Sequence, residues 1–286
     1  PGTRRWLLDP LDLGTRRFRV RDASTGTEIF RQGYATLFDE WLGTEESLGG
    51  VRRSMSESVR FPWPRKPVVV ELERRTRKGG WERTFSLDVD PRSTSISRTE
   101  RFADLEVVDL ADGPAPDRAL DVVIVPEGYA SRDLPKMRAD LARFTETLLD
   151  SEPWKSLRGK VHVRGVIAVS ARSGPTEPRK GIFHDTILGT SFNTFDSPRY
   201  LTVTHTKTLR QIAARAPYDA ILVMVNTGRY GGGGVFNQWA IFPSDNEYDD
   251  YVMLHEFGHS VAGLGDEYYS SLMTTDEDLM YPPGYE

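Results

Sequence analysis

The chain has 286 residues, of which 38% are hydrophobic and 28% charged, a composition typical of a globular protein with one or two domains. No apolar run approaches the roughly 18 residues that a membrane helix needs, and a net charge of -5 gives no electrostatic reason to expect a nucleic-acid partner. Cysteine is absent, which excludes disulfides, thiolate ligands and a cysteine nucleophile, so any metal ligands must be His, Asp or Glu.

The N-terminal part of the chain alternates apolar and polar residues in short segments. Period-two alternation predicts antiparallel strands, and Lys78-Gly79-Gly80 supplies a turn between two of them. A short helix is predicted around residues 35–45. The sequence therefore predicts an all-β accessory domain, described here as β-sandwich-like. The segments that carry this pattern are 17–21, 68–72 and 81–87.

Residues 109–117 contain Asp-Gly-Pro-Ala-Pro and are the best linker candidate, so the boundary is placed after residue 112. The predicted domains are 1–112 and 113–286. Beyond the boundary, buried-type strands alternate with amphipathic helices, which predicts an α/β domain with a mixed sheet and makes the whole chain α+β. The predicted strands are 119–125, 161–170, 219–225 and 235–242, and the predicted helices are 133–149, 206–215 and 248–262.

The last predicted helix carries the HExxH motif, formed by His255, Glu256 and His259. Helical positions four apart differ by about 40° in direction and about 6 Å in height, so both imidazoles can bind one metal ion. Glu256 lies about 100° around the helix from His255, which keeps its carboxylate close to a metal-bound water. The motif predicts a zinc site with Glu256 as the general base.

A catalytic zinc site usually has three protein ligands. Gly263 and Gly265 follow the motif and are expected to end the helix and turn the chain back. The turn delivers Asp266, which is the preferred third ligand, and Glu267, which is the second choice. A third possibility is an acidic helix-terminal turn, with the third ligand elsewhere in the chain.

Residues 255–268 read HEFGHSVAGLGDEY and resemble the signature of the bacterial IgA-peptidase family, HEFGHSFAGLxDEY, from which only Val261 departs. Residues 121–129 resemble the first catalytic-domain strand of that family. The resemblance implies a zincin (metzincin-like) catalytic domain, a Zn²⁺ cofactor and metalloendopeptidase activity on extended polypeptide. Segments that resemble its all-β N-terminal domain are 33–34, 37–41 and 61–64.

The chain also departs from the metzincin pattern HExxHxxGxxH. Its glycine and its third-ligand candidate come one residue later, and Asp replaces His. Residues 278–282 resemble the methionine turn of metzincins, with an ordinary loop as the alternative. Tyr268 or Tyr281 is a candidate for holding the tetrahedral oxyanion.

Four consecutive glycines, residues 231–234, precede the predicted strand 235–242. They are interpreted either as part of an edge strand to which a peptide substrate adds or as a flexible hairpin. His162, His184 and His205 have no ligand spacing, and structural roles are expected for them.

The leading hypothesis is amide-bond hydrolysis in which Glu256 activates a zinc-bound water. One alternative is a hydrolase of a non-peptide amide such as a cell-wall linkage. Another is a glycan- or protein-binding module with a degenerate zinc site. We expect a secreted, cell-surface or periplasmic location, no nucleic-acid partner, and an N-terminal domain that binds protein or glycan.

Overall fold

The computed structural model describes residues 6–266, which form two compact units. One unit comprises the described residues up to 99 together with 263–266, and the other comprises residues 100–262. No helix within residues 6–266 combines the length and the hydropathy that crossing a membrane requires.

The first unit contains a four-stranded antiparallel sheet with the order β2-β1-β3-β4. Its core is formed by one face of the sheet, where alternate apolar residues such as Phe18, Val20 and Val70 are buried. The alternation in the sequence predicted three of the four strands and did not identify the strand at 28–34. The first short helix falls in the predicted segment 35–45, and the second begins at its last residue. The elements are β1 (Arg16–Asp22), β2 (Glu28–Tyr34), α1 (Leu37–Leu42), α2 (Glu45–Leu48), β3 (Val68–Arg75) and β4 (Trp81–Val89).

The opposite face of this sheet is ionic, which corrects the expectation of a sandwich. Arg17 on β1 pairs with Glu73 on β3, and Arg21 pairs with Glu71 at 2.9 Å. Arg19 also contacts Glu73, at 3.4 Å. Because guanidinium and carboxylate groups satisfy one another across this face, it needs no second sheet to cover it, and the described residues of this unit form one sheet.

The second unit contains a six-stranded mixed sheet with the order β5-β7-β6-β8-β10-β9. The four inner strands run parallel, and an antiparallel strand lies at each edge. This is the mixed α/β sheet that the sequence predicts. Its strands are β5 (Val107–Ala111), β6 (Leu120–Glu127), β7 (Val161–Val166), β8 (Ala220–Val225), β9 (Gly233–Val235) and β10 (Trp239–Pro243).

The helices of the second unit bury apolar faces against the sheet. The core includes Met137, Leu141 and Phe144 from the first of them, and Met253 and Phe257 from the last, all inaccessible to solvent. The last helix packs against β9 and β10. The three helices are α3 (Leu134–Asp150), α4 (Thr206–Ala213) and α5 (Asp249–Ala262).

Two details differ from the sequence interpretation. Strand β5 pairs with β7 in the larger sheet, so residues 107–111 belong to the second unit, whereas the boundary was placed after residue 112. Proline and glycine in 109–117 end β5, and they do not separate the units. The predicted strand 235–242 is a hairpin of β9 and β10, because Asn237 adopts a positive φ of 56° and turns the chain.

Candidate metal centre

The start of α5 is fixed by contacts outside the helix. The side-chain oxygen of Asn246 accepts a hydrogen bond from the backbone N–H of Tyr248 at 3.0 Å. Arg143 of α3 pairs with the buried carboxylate of Asp249 at 2.8 Å and donates to the carbonyl of Ser244 at 2.7 Å. These contacts set the position from which the motif residues project.

His255 and His259 converge as the sequence predicts. Their Nε2 atoms lie 3.0 Å apart, and their rings are nearly perpendicular, with centroids 4.5 Å apart. One ligand atom from each of His255, Glu256 and His259 falls within 4.8 Å of the others. Two imidazole nitrogens bound to one tetrahedral zinc at about 2.0 to 2.1 Å are about 3.3 Å apart, so this donor set fits a zinc ion.

The glycine run forms the wall opposite these side chains. A Cβ atom on Gly232 would lie 2.6 Å from Oε1 of Glu256. A Cβ atom on Gly234 would lie 2.5 Å from the carbonyl oxygen of Glu256 and 2.7 Å from Cβ of His259. The backbone of this strand therefore lies against the turn of α5 that carries Glu256 and His259, at a distance that no side chain permits. This close packing explains the glycines.

The outer edge of the same strand is partly paired within the unit. The N–H of Gly232 donates to the carbonyl of Arg199 at 3.2 Å, and the N–H of Leu201 donates to the carbonyl of Gly232 at 3.4 Å. Since alternate residues of a strand point their backbone groups the same way, Gly234 directs its N–H and C=O toward this outer edge as well. The run is therefore an ordered edge strand rather than a flexible hairpin.

The remaining predicted site residues are only partly described. Asp266 is exposed and belongs to the other compact unit, and its role as third ligand stays a prediction. Glu267, Tyr268, Tyr281 and the methionine-turn segment 278–282 lie outside the described residues.

The other three histidines have local contacts. Nδ1 of His184 lies 3.1 Å from the carbonyl of Gly174, and His205 precedes the first residue of α4. Arg164 donates to Nδ1 of His162 at 2.8 Å, which leaves Nε2 of that ring to donate to Asp109 at 3.0 Å.

Asp109, Asp112 and His162 also place ligand atoms within 4.8 Å of one another. The guanidinium of Arg164 contacts Asp109 at 3.1 Å, so the carboxylate of Asp109 is already paired with a positive charge. The hydrogen bond from His162 holds the pKa of Asp109 below its ordinary value. This cluster is an ion-pair network, and we assign no cation to it.

Sequence reasoning did not identify Glu127, which ends the central strand β6 and is fully buried. Its Oε2 atom accepts from the N–H of Leu188 at 3.1 Å, and its Oε1 atom accepts from the N–H and hydroxyl of Thr190 at 3.3 and 3.1 Å. Burial raises the pKa of Glu127, and the hydrogen bonds oppose that rise. The carboxylate anchors the loop 186–190 to the sheet. A charged residue within the apolar segment 121–129 was the available signal.

Replacing Glu127 with Gln should lower the free energy of unfolding by about 2–3 kcal/mol, measured by urea denaturation. Either orientation of the amide places an NH₂ group against an N–H donor of the loop, so at least one buried donor loses its acceptor. Glu106→Gln is the control, because Glu106 forms an exposed pair with Arg138 and its replacement should leave the free energy of unfolding almost unchanged. Equal effects of the two substitutions would contradict an anchoring role.

Comparison with known families gives two matches that together span most of the chain. A family model described as IgA Peptidase M64 matches residues 108–283, and one described as Peptidase M64 N-terminus matches residues 1–86. No curated protein matches the chain. The larger match includes the six-stranded sheet, α5 and the histidine pair.

Proposed function

Because the chain belongs to the M64 family of IgA peptidases, a family of metallopeptidases, we propose that it is a zinc-dependent metalloendopeptidase. In this proposal His255 and His259 are metal ligands, Asp266 is the third ligand and Glu256 is the catalytic base. The observation that carries it is the 3.0 Å separation of the two Nε2 atoms, with the carboxylate of Glu256 grouped beside them.

The topology of the second unit supports a zincin fold. Strand β9 lies at the edge of the sheet, beside the helix that carries the histidines, and pairs antiparallel with β10. Strands β10 and β8 run parallel to each other. An extended polypeptide pairing with the outer edge at Gly234 would lie directly along the metal centre. Substrate pairing at Gly234 is favoured over pairing at Gly232, because the backbone of Gly232 is already hydrogen-bonded to residues 199–201.

A bound zinc ion supplies Lewis-acid chemistry, which lowers the pKa of water and polarises a scissile carbonyl. Glu256 accepts the proton of the attacking water at its carboxylate and later returns it to the leaving amine. The close approach of Gly232 to Oε1 restricts where that carboxylate can lie. The histidines present their Nε2 atoms, and the stacked ring of Tyr251 limits the rotation of His255.

Removal of the metal should abolish peptide hydrolysis. Incubation with 1,10-phenanthroline followed by gel filtration is expected to reduce cleavage of an unstructured protein below about 1% of the starting rate, and added Zn²⁺ should restore it. Elemental analysis should find about one zinc per chain in the wild type and much less in His259→Ala. Full turnover by protein that contains no transition metal would refute the proposal.

A further inference from the structure

Three exposed tyrosines lie on or beside the segments that carry the candidate metal centre. Tyr230, Tyr248 and Tyr251 retain 44%, 55% and 62% of their accessible surface. The ring of Tyr251 stacks on the imidazole of His255, with centroids 5.7 Å apart and planes inclined by 21°. The rings of Tyr230 and Tyr248 meet edge to face at 6.3 Å. Large apolar rings left in solvent beside a candidate catalytic group need an explanation.

The tyrosines lie on or close to the two elements that form the candidate metal centre, α5 and β9. Tyr251 lies four residues before His255, so these two side chains project from one face of α5, and Tyr248 directly precedes the first residue of that helix. Tyr230 immediately precedes the glycine run of the edge strand. The aromatic surface therefore joins the strand side and the helix side of the site.

Three carboxylates close in sequence to these rings are already paired with cations. Asp245 pairs with Lys136 at 2.8 Å, and Arg143 pairs with both Asp249 and Asp250, at 2.8 and 3.1 Å. The three carboxylates nearest in sequence to Tyr248 and Tyr251, other than Glu247, are thus turned toward cations of α3. A surface of neutral rings favours an apolar side chain over a charged one.

Distances along the helix place this surface relative to the scissile bond. Tyr251 and Tyr248 lie about 6 and 10 Å from His255 along the helix axis, at about 1.5 Å per residue. An extended peptide advances about 3.3 Å per residue. The rings are therefore within reach of a substrate side chain about two or three residues from the bond that is cut.

We propose that Tyr230, Tyr248 and Tyr251 form a tyrosine subsite that binds a large apolar side chain, aromatic or branched aliphatic, two or three residues from the scissile bond. The proposal rests on the peptidase function proposed above and adds a substrate preference to it. Tyr248 and Tyr230 form the pocket wall, and Tyr251 connects that wall to His255.

The test combines cleavage with binding. Quenched-fluorescent peptide libraries with one fixed position measure kcat/KM for the wild-type enzyme. In parallel, zinc-loaded Glu256→Gln protein is titrated with fluorescein-labelled octapeptides of Ser and Ala that carry a single Phe, Leu, Lys or Asp. We expect Phe and Leu to be preferred over Ala about tenfold at one position, in both kcat/KM and affinity.

Tyr248→Ala should reduce that preference to about twofold or less, with little change for the peptide that has Ala at the same position. Tyr248 does not contact the histidines in the geometry described, so this variant separates substrate binding from metal binding. Tyr251→Phe should keep the preference, and zinc content is measured for every variant. Leu157→Ala is the matched control, because it shortens an exposed apolar side chain in the segment between α3 and β7.

The outcomes distinguish the two proposals. Cleavage with no side-chain preference, or a preference that survives Tyr248→Ala, overturns the subsite and leaves the peptidase. A preference for Lys assigns the rings to cation binding with Glu247 as counter-ion and also overturns it. Failure to cleave any library, together with Tyr248-dependent binding of Phe peptides, removes the peptidase function and retains the apolar-binding surface.

Discussion

Glu256→Gln should lower kcat for peptide hydrolysis by about 10³-fold while the protein keeps its zinc. General-base catalysis contributes about 10²- to 10⁴-fold, and the amide cannot accept the proton of the attacking water. The substitution preserves the shape of the side chain, so it fits the same space against Gly232. Steady-state kinetics and elemental analysis on the same preparation give the two quantities.

The matched control for this experiment is Glu146→Gln, which removes an exposed carboxylate from α3, paired with Arg158 at 3.3 Å. Its kcat should stay within about twofold of the wild type. Comparable activity in Glu256→Gln and in the control would exclude Glu256 as the base. Loss of zinc from Glu256→Gln would instead show that the carboxylate holds the metal, and would exclude the assigned role in the same way.

The helix that carries His255 and His259 was the easiest element to predict from sequence. The two histidines lie four residues apart on one helix, so local periodicity alone places both imidazoles on one side. The structure then brings the two Nε2 atoms to 3.0 Å, as the motif predicts. The third ligand cannot be fixed in this way, because Asp266 follows the glycines that end the helix and its direction depends on tertiary packing.

Other features of the site depend on contacts between segments distant in sequence. Glu127 accepts hydrogen bonds from residues about sixty positions away, so no periodicity in its own strand indicates its role. The ionic face of the N-terminal sheet is similar, because Arg17 and Glu73 become neighbours only when β1 pairs with β3. Alternation in the sequence predicts which residues share a face of the sheet, but the pairing of strands determines which side chains contact one another on that face.

The glycine run was recognised in the sequence, but its cause is visible only in the packing of the edge strand on α5. A flexible hairpin and a close backbone contact require the same residues for different reasons. The two explanations predict opposite effects of a glycine-to-alanine substitution on the free energy of unfolding. If the glycines merely provide flexibility, alanine should stabilise the protein by about 0.4–1 kcal/mol by restricting the unfolded chain.

Gly234→Ala is expected to lower the free energy of unfolding by about 2–3 kcal/mol and to weaken zinc binding. The added Cβ would lie 2.5 Å from the carbonyl oxygen of Glu256 and 2.7 Å from Cβ of His259, and neither atom can move unless the helix backbone moves. Urea denaturation of the metal-free protein measures stability, and competition with a chromophoric chelator measures zinc affinity.

Two further alanine variants are compared with Gly234→Ala. Gly159→Ala adds a Cβ that meets no atom within 4 Å, so it should be neutral or slightly stabilising. Gly232→Ala places its Cβ 2.6 Å from Oε1 at the end of the Glu256 side chain, which can rotate away without moving the helix backbone, so it should reduce kcat more than it reduces stability. If Gly234→Ala behaves like Gly159→Ala, the strand does not lie against the turn of α5 that carries Glu256 and His259. Because that close approach also sets the position of the edge along which a peptide would extend, the same result would remove the basis for pairing substrate at Gly234.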